Sequence, residues 1–334
     1  MFQRIYAIGL TAFRESVRDR VLFAVLGLGL ASTLLGLGLG SLSASDAVRI
    51  LVDQGLVTLS LLSNLIAIFL GANFLYKELE LRTLYVLLAR PVGRHELVLG
   101  KYLGILVTVM VFVSLTASFV LGLAALTATD ESVRALERAN AALGPALGLF
   151  RRPVLRVGLL ALAPLLFGLS LLSKRVRALV SVGAVLPLSL GLLAAVSAVS
   201  AVVIPAETTL VLRAVVLVLS EVAVVGAASM LFSAFSTPFV TGMFSVGLFA
   251  IARSSWLMQH LPRRFPDALR ALLTAVVRVV PNQHLFVPNR QVLLPENLSL
   301  GVNAYLVECV LYALSYAAVM LSASVLLFRR RDLV

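Results

Sequence analysis

Charge, cysteine and histidine are all scarce in this sequence of 334 residues, and each shortage excludes a class of protein. Charged residues make up 13% of the chain, about half of their share in an average soluble protein. Hydrophobic residues make up 60%, and the mean hydropathy is +1.03. This composition predicts an integral membrane protein. The apolar runs lack regular alternation, which favours helices over barrel strands.

The few cysteines and histidines leave little for metal chemistry. Cys309 is the single cysteine, so the chain forms no internal disulfide and has no set of thiolates for a zinc site. The three histidines, at positions 95, 260 and 284, lack the spacing of paired metal ligands. We therefore predict no metal site and no cofactor-binding site in this chain.

Motifs that would make the chain an enzyme are also missing. The sequence has no GxxxxGK[ST] phosphate-binding loop, and its closest string, at residues 99–102, lacks the first glycine and the hydroxyl residue. Serines are plentiful, but none lies in a nucleophile elbow or beside a plausible base. We therefore predict that the chain is not an enzyme and has no catalytic residues.

Basic residues outnumber acidic ones by 28 to 16, which gives a net charge of +12. They sit in short connectors with few aromatic residues among them, unlike the basic surface of a nucleic-acid-binding protein. We therefore predict no nucleic-acid partner. Membrane topology and contact with anionic lipid explain the basic residues better.

The apolar runs predict an all-α polytopic bundle of about eight spans, in a single transmembrane domain over residues 1–334. A span needs about 20 residues. The run 239–252 is shorter, so it either spans with a tilt or enters as a half-helix. A polar loop with Asp46, Arg49 and Asp53 is expected between the first two spans. The predicted spans are 21–40, 56–76, 102–126, 154–172, 178–204, 211–232, 239–252 and 302–328.

Two amphipathic segments are predicted beside the spans. Residues 1–20 fit an interfacial helix along the cytoplasmic leaflet, and an ordinary polar extension is the alternative. Residues 263–280 fit a second amphipathic helix, on the outer side. The apolar stripe of the first helix comprises Phe2, Tyr6, Gly9, Leu10, Phe13 and Val17.

Charge asymmetry predicts the orientation of the chain. Four arginines precede the first predicted span and five basic residues follow the second, whereas Arg49 alone lies between the two spans. The positive-inside rule then places residues 77–101 in the cytoplasm. The predicted outer segments 127–156 and 253–300 carry eleven arginines, which opposes this bias.

Residues 77–101, KELELRTLYVLLARPVGRHELVLGK, form a charged amphipathic segment between two predicted spans. This segment resembles the membrane subunits of type-2 ATP-binding-cassette (ABC) exporters. In that family an acidic pair, a threonine, a leucine stretch, a Pro-Val and a Gly-Lys follow the second span in the same order. The likeness extends to the N-terminal helix, the turn at 231–236, Pro281-Asn282 and the closing residues 328–332.

The resemblance covers about residues 1–126 and 210–334. It divides the eight spans into six like those of the family and an extra two-span hairpin at 154–204. It implies that residues 77–100 are a cytoplasmic coupling region that docks on a separate ABC ATPase. The candidate coupling residues are Glu78, Glu80, Arg82, Thr83, Arg90, Pro91, Arg94 and Glu96.

The same resemblance implies an assembly of two ATPases and two membrane subunits in a bacterial inner membrane. The second membrane subunit would be another copy of this chain or a related one. ATP and magnesium would be bound by the partner ATPase, and the function would be export of a substrate that the sequence does not identify. The alternative for the coupling region is a solvated loop without a partner.

Glu221 is the one predicted intramembrane group with a strong claim to function. An ionisable residue at the bilayer centre costs about 2.5 to 3.5 kcal/mol on insertion scales, so it needs a partner or water. Two interpretations stay open: a polar spot on the translocation path or between two copies, and a structural hydrogen bond to a nearby Ser, Thr or Asn.

Three other functions compete with an ABC permease. An ion-coupled secondary carrier would need carboxylates or broken helices in symmetry-related halves, and Glu221 has no such counterpart in the sequence. A membrane-embedded enzyme would need paired His or Asp clusters, which are missing. A membrane scaffold without transport remains open.

Overall fold

The protein is described by a computed structural model over residues 2–42, 46–80, 93–128, 182–255, 280–293 and 301–330, with the single residues 164, 166 and 275. These residues form helices and connecting turns, and no strand occurs among them. A 3₁₀ turn, Gln283–Phe286, and a single helical turn, Arg290–Leu293, precede the last helix. The eight longer helices are α1 (Phe2–Arg18), α2 (Arg20–Ser41), α3 (Ala47–Glu80), α4 (Arg94–Thr127), α5 (Val182–Val203), α6 (Pro205–Ser233), α7 (Pro238–Arg253) and α8 (Val302–Arg330).

Six of these helices are long and apolar enough to cross a membrane, which confirms the predicted multi-pass helical character. α2 and α8 match the predicted spans 21–40 and 302–328 closely, and α5 matches the second half of the predicted hairpin. α7 is not among these six helices, because it has only 16 residues. The predicted span 154–172 and the predicted amphipathic helix 263–280 lie outside the described residues, apart from isolated positions.

α3 and α4 are longer than the sequence predicted. α3 begins at Ala47, so the expected polar loop with Arg49 and Asp53 is wrong: both residues lie in the first turns of α3. A span prediction from hydropathy misses such turns because charged residues lower the local hydropathy. A helix can nevertheless carry charged residues in its end turns. Each helix has 34 residues, about 51 Å at 1.5 Å per residue, against a hydrocarbon core of about 30 Å.

α1 is helical as predicted, and Gly9, Phe13 and Val17 of the predicted stripe are buried, but Tyr6 is not. Tyr6 is 68% exposed, whereas Ile5 and Ala12 are buried. The reason is the packing partner, since α1 lies against glycines near the start of α4. A Cβ atom added at Gly100 would come within 2.7 Å of Ile8, and one at Gly104 within 2.6 Å of Ala12. The close approach of the two helices therefore depends on glycine, and the position of α1 at a membrane surface stays a prediction.

α6 lies at the centre of the bundle and contacts α3, α4, α5, α7 and α8. Small residues let it approach α3 closely, because a Cβ atom at Gly71 would lie 2.6 Å from the Cβ of Ser229. The Tyr102 hydroxyl of α4 donates to the carbonyl of Ala223, at 2.8 Å, on another side of α6. The buried centre of the described bundle is therefore built on α3, α4 and α6.

The bundle has two ends, which we name by the helix connections they carry. The α2–α3 end holds the start of α3, and the α3–α4 end holds the start of α4. α6 runs from the first end to the second, since Glu207 lies near Asp53 through Arg290 and Ser233 donates to the carbonyl of Ala72 at 3.3 Å.

Candidate functional site: a buried charge pair where a short helix ends

α7 stops at about the middle of the bundle. It follows the turn Ser233–Pro238, which was predicted, and returns along α6. Its 16 residues reach about 24 Å, and its last residue, Arg253, meets α6 and α3. The contact on α3 is Ser60, the middle residue of the candidate span Ala47–Asn73. Of the two predictions for this run, the half-helix agrees with this geometry.

Arg253, Glu221 and Ser60 form a closed triangle of polar contacts. Arg253 Nη1 lies 2.6 Å from Glu221 Oε1 and donates to Ser60 Oγ at 3.0 Å. Ser60 Oγ donates to Glu221 Oε2 at 2.8 Å. Glu221 is 0% exposed, so its charge is compensated entirely inside the bundle, as a charge buried in a membrane span requires. The ring of Phe249, with its centroid 5.6 Å from Arg253 Cζ, adds a cation–π contact.

The structure answers the question that the sequence left open about Glu221 partners. The predicted serine contact is present, but the principal partner is an arginine that the sequence analysis assigned to an outer connector. The missed signal was position: Arg253 is the first charged residue after an apolar run too short to span. One turn from Ser60, the buried amide of Asn64 donates to the Ser60 carbonyl at 2.9 Å. Its Oδ1 has no hydrogen-bond partner among the described residues.

Residues 280–293 come later in the chain, but in space they begin beside the end of α7. Ser255 Oγ, just after α7, donates to Asn282 Oδ1 at 2.6 Å. The segment then follows α6 and α8 towards the α2–α3 end, where Arg213 of α6 donates to the Leu293 carbonyl at 2.8 Å. We call α7 and residues 280–293 together the broken crossing. Backbone outside a regular α-helix is tolerated in membrane proteins where protein buries it, and Gln283 and Phe286, the two ends of the 3₁₀ turn, are fully buried.

Arg290 fixes the broken crossing to the bundle at the α2–α3 end. It donates through Nη1 and Nη2 to the two carboxylate oxygens of Glu207, at 2.6 and 2.8 Å. It also donates to Asp53 Oδ1 at 3.1 and 3.2 Å. The guanidinium is therefore held by four hydrogen bonds to two carboxylates.

The candidate coupling residues fall into three places. Glu78 and Glu80 lie in the last turn of α3, and Arg94 and Glu96 lie in the first turn of α4. Glu96 is 5% exposed, and its Oε2 accepts the Gly93 N–H at 3.0 Å, which is the one bond of a capping box that a glycine at the N-cap can make. The side chain of Glu96 is therefore used inside the protein. Arg82, Thr83, Arg90 and Pro91 lie outside the described residues.

Within the residues that the structure describes, no group of three His, Cys, Asp or Glu side chains could hold a metal ion. A scan against models of known protein families finds no match. A comparison with curated proteins finds none either.

Proposed function

We propose that this chain is the permease subunit of an ABC exporter in a bacterial inner membrane. It would move a substrate across the membrane with energy from ATP hydrolysed by a separate subunit. The observation that supports transport most directly is the broken crossing with the Glu221–Arg253 pair at its break. Charged groups inside membrane spans are costly and mark functional paths, and transporters place their sites where helices are interrupted near mid-depth.

The coupling region supports ATP as the energy source. Residues 77–100 carry the family-like sequence described above, and the chain has no phosphate-binding loop of its own. The long helices α3 and α4 flank this region and pack on α6. A displacement between residues 80 and 94 would therefore act on two stiff helices that reach the centre of the bundle.

In this proposal the partners are two ABC ATPases, a second permease copy and membrane lipid. Glu78, Glu80, Arg82, Thr83, Arg90 and Pro91 would face the ATPase, and Glu96 would hold the start of α4. Large apolar side chains stay exposed in the described bundle and would contact lipid or the second copy. They include Leu28, Leu35, Phe239, Leu311 and Val319.

Co-purification tests the ATPase partner directly. The tagged chain would be purified from its native membranes as wild type and as the double variant Arg82→Glu, Arg90→Glu. We expect an ABC ATPase to accompany the wild type and to be lost from the variant, because reversed charges repel a docking surface built for arginine. Arg94 is unsuitable for this test because it contacts α8.

The control is Arg49→Glu, a single arginine-to-glutamate reversal at the α2–α3 end, where Arg49 is largely exposed. It should retain the ATPase. Membrane levels of all variants are measured, so that loss of the chain is not mistaken for loss of docking. If the wild-type chain brings down no ABC ATPase, the proposal is wrong.

An ion-coupled carrier is the second candidate, since a buried carboxylate at a broken crossing suits ion coupling as well. The contact with Arg253 argues against it, because Glu221 is already neutralised by a fixed cation. Transport into sealed vesicles separates the two functions. Uptake driven by ATP without an ion gradient supports the exporter, and uptake driven by a gradient without ATP supports the carrier.

A further inference from the structure

One end of α8 is bonded to the start of α4. Arg94 Nη1 donates to the carbonyl of Phe328 at 2.8 Å. The guanidinium also lies over the Phe328 ring, with its carbon 5.8 Å from the ring centroid. Phe328 is in the last turn of α8, where carbonyls have no partner within the helix and a cation complements the helix dipole. Arg94 therefore caps α8 from a position beside the coupling region.

The other half of α8 contacts the 3₁₀ turn of the broken crossing, Gln283–Phe286. The Tyr312 hydroxyl accepts the N–H of Asn282 at 2.9 Å. The Tyr305 hydroxyl donates to the carbonyl of Leu285 at 2.6 Å. Both bonds involve backbone at the 3₁₀ turn Gln283–Phe286, one at the residue before it and one within it. The position of this turn therefore depends in part on the position of α8.

α8 thus joins two regions that are far apart in the bundle. The helix from Tyr305 to Phe328 is continuous and extends over about 35 Å. A helix of this kind is stiff along its axis. If Arg94 moves with the connection between α3 and α4, it moves the Phe328 end of α8, and the two tyrosines move with it.

We propose that α8 carries the movement of the coupling region to the broken crossing, and that Arg94 is the positioning residue that connects them. This inference rests on the proposed function and deepens it. It gives Arg94 a role different from ATPase docking, because its guanidinium bonds to the Phe328 carbonyl and lies over the Phe328 ring of α8. It also identifies a physical element whose position both regions influence, which a claim of coupling requires.

The chain carries its own reporter of this movement. Cys309 is the single cysteine of the sequence, and it lies in α8 between the two tyrosines and is buried. The experiment uses the complex of the tagged chain with its co-purified ATPase. The rate at which a maleimide labels Cys309 is measured without nucleotide and after trapping with ATP, magnesium and vanadate. A Cys309→Ala chain identifies labelling elsewhere.

We expect trapping to change the labelling rate of the wild type about fivefold or more, the lower range of typical allosteric coupling. In Arg94→Gln the change should fall below about twofold, with the ATPase still bound and still hydrolysing ATP. Tyr312→Phe should reduce the response as well, because it breaks the bond to Asn282 at the other end. The control Arg4→Gln alters a cation near Glu96 and should keep the wild-type response.

Each alternative result has a definite meaning. Loss of the ATPase from Arg94→Gln would make Arg94 a docking residue and overturn the inference, while the proposed function would stand. An unchanged response in Arg94→Gln, or no response in the wild type, would overturn the inference alone. Absence of any ABC ATPase from the wild type would overturn both. Thermal unfolding of the purified chain, with Arg94→Lys as the conservative variant, separates these outcomes from misfolding.

Discussion

The Glu221–Arg253 pair and the Arg290 cluster both join an arginine of the broken crossing to α6 and α3, yet they differ in burial and composition. Arg253 meets one carboxylate and one hydroxyl, and the carboxylate is fully buried. Arg290 meets two carboxylates, and one of them, Asp53, is nearly half exposed. The Glu221 carboxylate therefore has no contact with water, whereas that of Asp53 does, although the two arginine side chains are similarly covered, 22% exposed at Arg253 and 16% at Arg290. Only the Glu221 carboxylate must be compensated entirely by protein groups, which suits its position at the middle of the spans.

The largest effect should follow from breaking the buried pair. Arg253→Ala leaves the Glu221 charge unpaired, and we expect the free energy of unfolding to fall by about 3 to 5 kcal/mol. Chemical unfolding of the purified chain in detergent measures this. Arg253→Lys keeps a cation and should lose less. Equal losses in the two variants would show that the charge is not what matters at this position.

Replacing both partners separates stability from function. The double variant Glu221→Leu, Arg253→Met buries no charge, so its stability should lie within about 1 kcal/mol of the wild type. If the pair belongs to the transport path, ATP-driven transport should nevertheless be lost. A stable double variant that transports normally would reduce the pair to a structural contact.

A smaller loss is expected at the α2–α3 end. Arg290→Gln removes charged hydrogen bonds from a partly exposed cluster, so stability should fall by about 1.5 to 3 kcal/mol. Because part of the cluster is in contact with solvent, added salt should reduce the difference from the wild type. The same salt titration on Arg253→Ala should change little, and a similar salt response at both sites would contradict the contrast in burial.

The smallest effect should come from Arg49. Its side chain is 60% exposed and lies 3.9 Å from Asp53, and exposed pairs of this kind contribute about 0 to 1 kcal/mol. Arg49→Gln should therefore unfold almost as the wild type does. A loss as large as that of Arg290→Gln would mean that the exposed arginine is part of the clamp.

The elements predicted best are those whose signal is local. α2 and α8 have nearly the predicted bounds because each is one uninterrupted apolar run. The start of α3 was predicted nine residues late, and α4 eight residues late, because charged turns interrupt hydropathy without ending a helix. For α1 the helix was predicted correctly and Tyr6 was placed on the wrong face. Its buried face is selected by the glycines of α4.

The candidate site was predictable only in part. Glu221 stood out because a buried carboxylate in an apolar run is costly wherever the run packs. Arg253 did not, because it ends a short helix and looked like a connector residue. Ser60 is separated from Glu221 by 161 positions, and no periodicity connects them. Arg290 was missed for the same reason, since its partners lie on two other helices.

By itself, the sequence determined that this protein is helical, crosses a membrane several times and must compensate a charge inside one span. These properties depend on short-range quantities: the length of apolar runs and the cost of a carboxylate among them. Only the tertiary structure decided that α7 ends at Glu221, that residues 280–293 follow it, and that Arg94 caps α8. Such contacts arise when helices distant in sequence pack together. The sequence alone does not specify them, because burial of apolar surface is non-directional and does not determine which helices pack against each other.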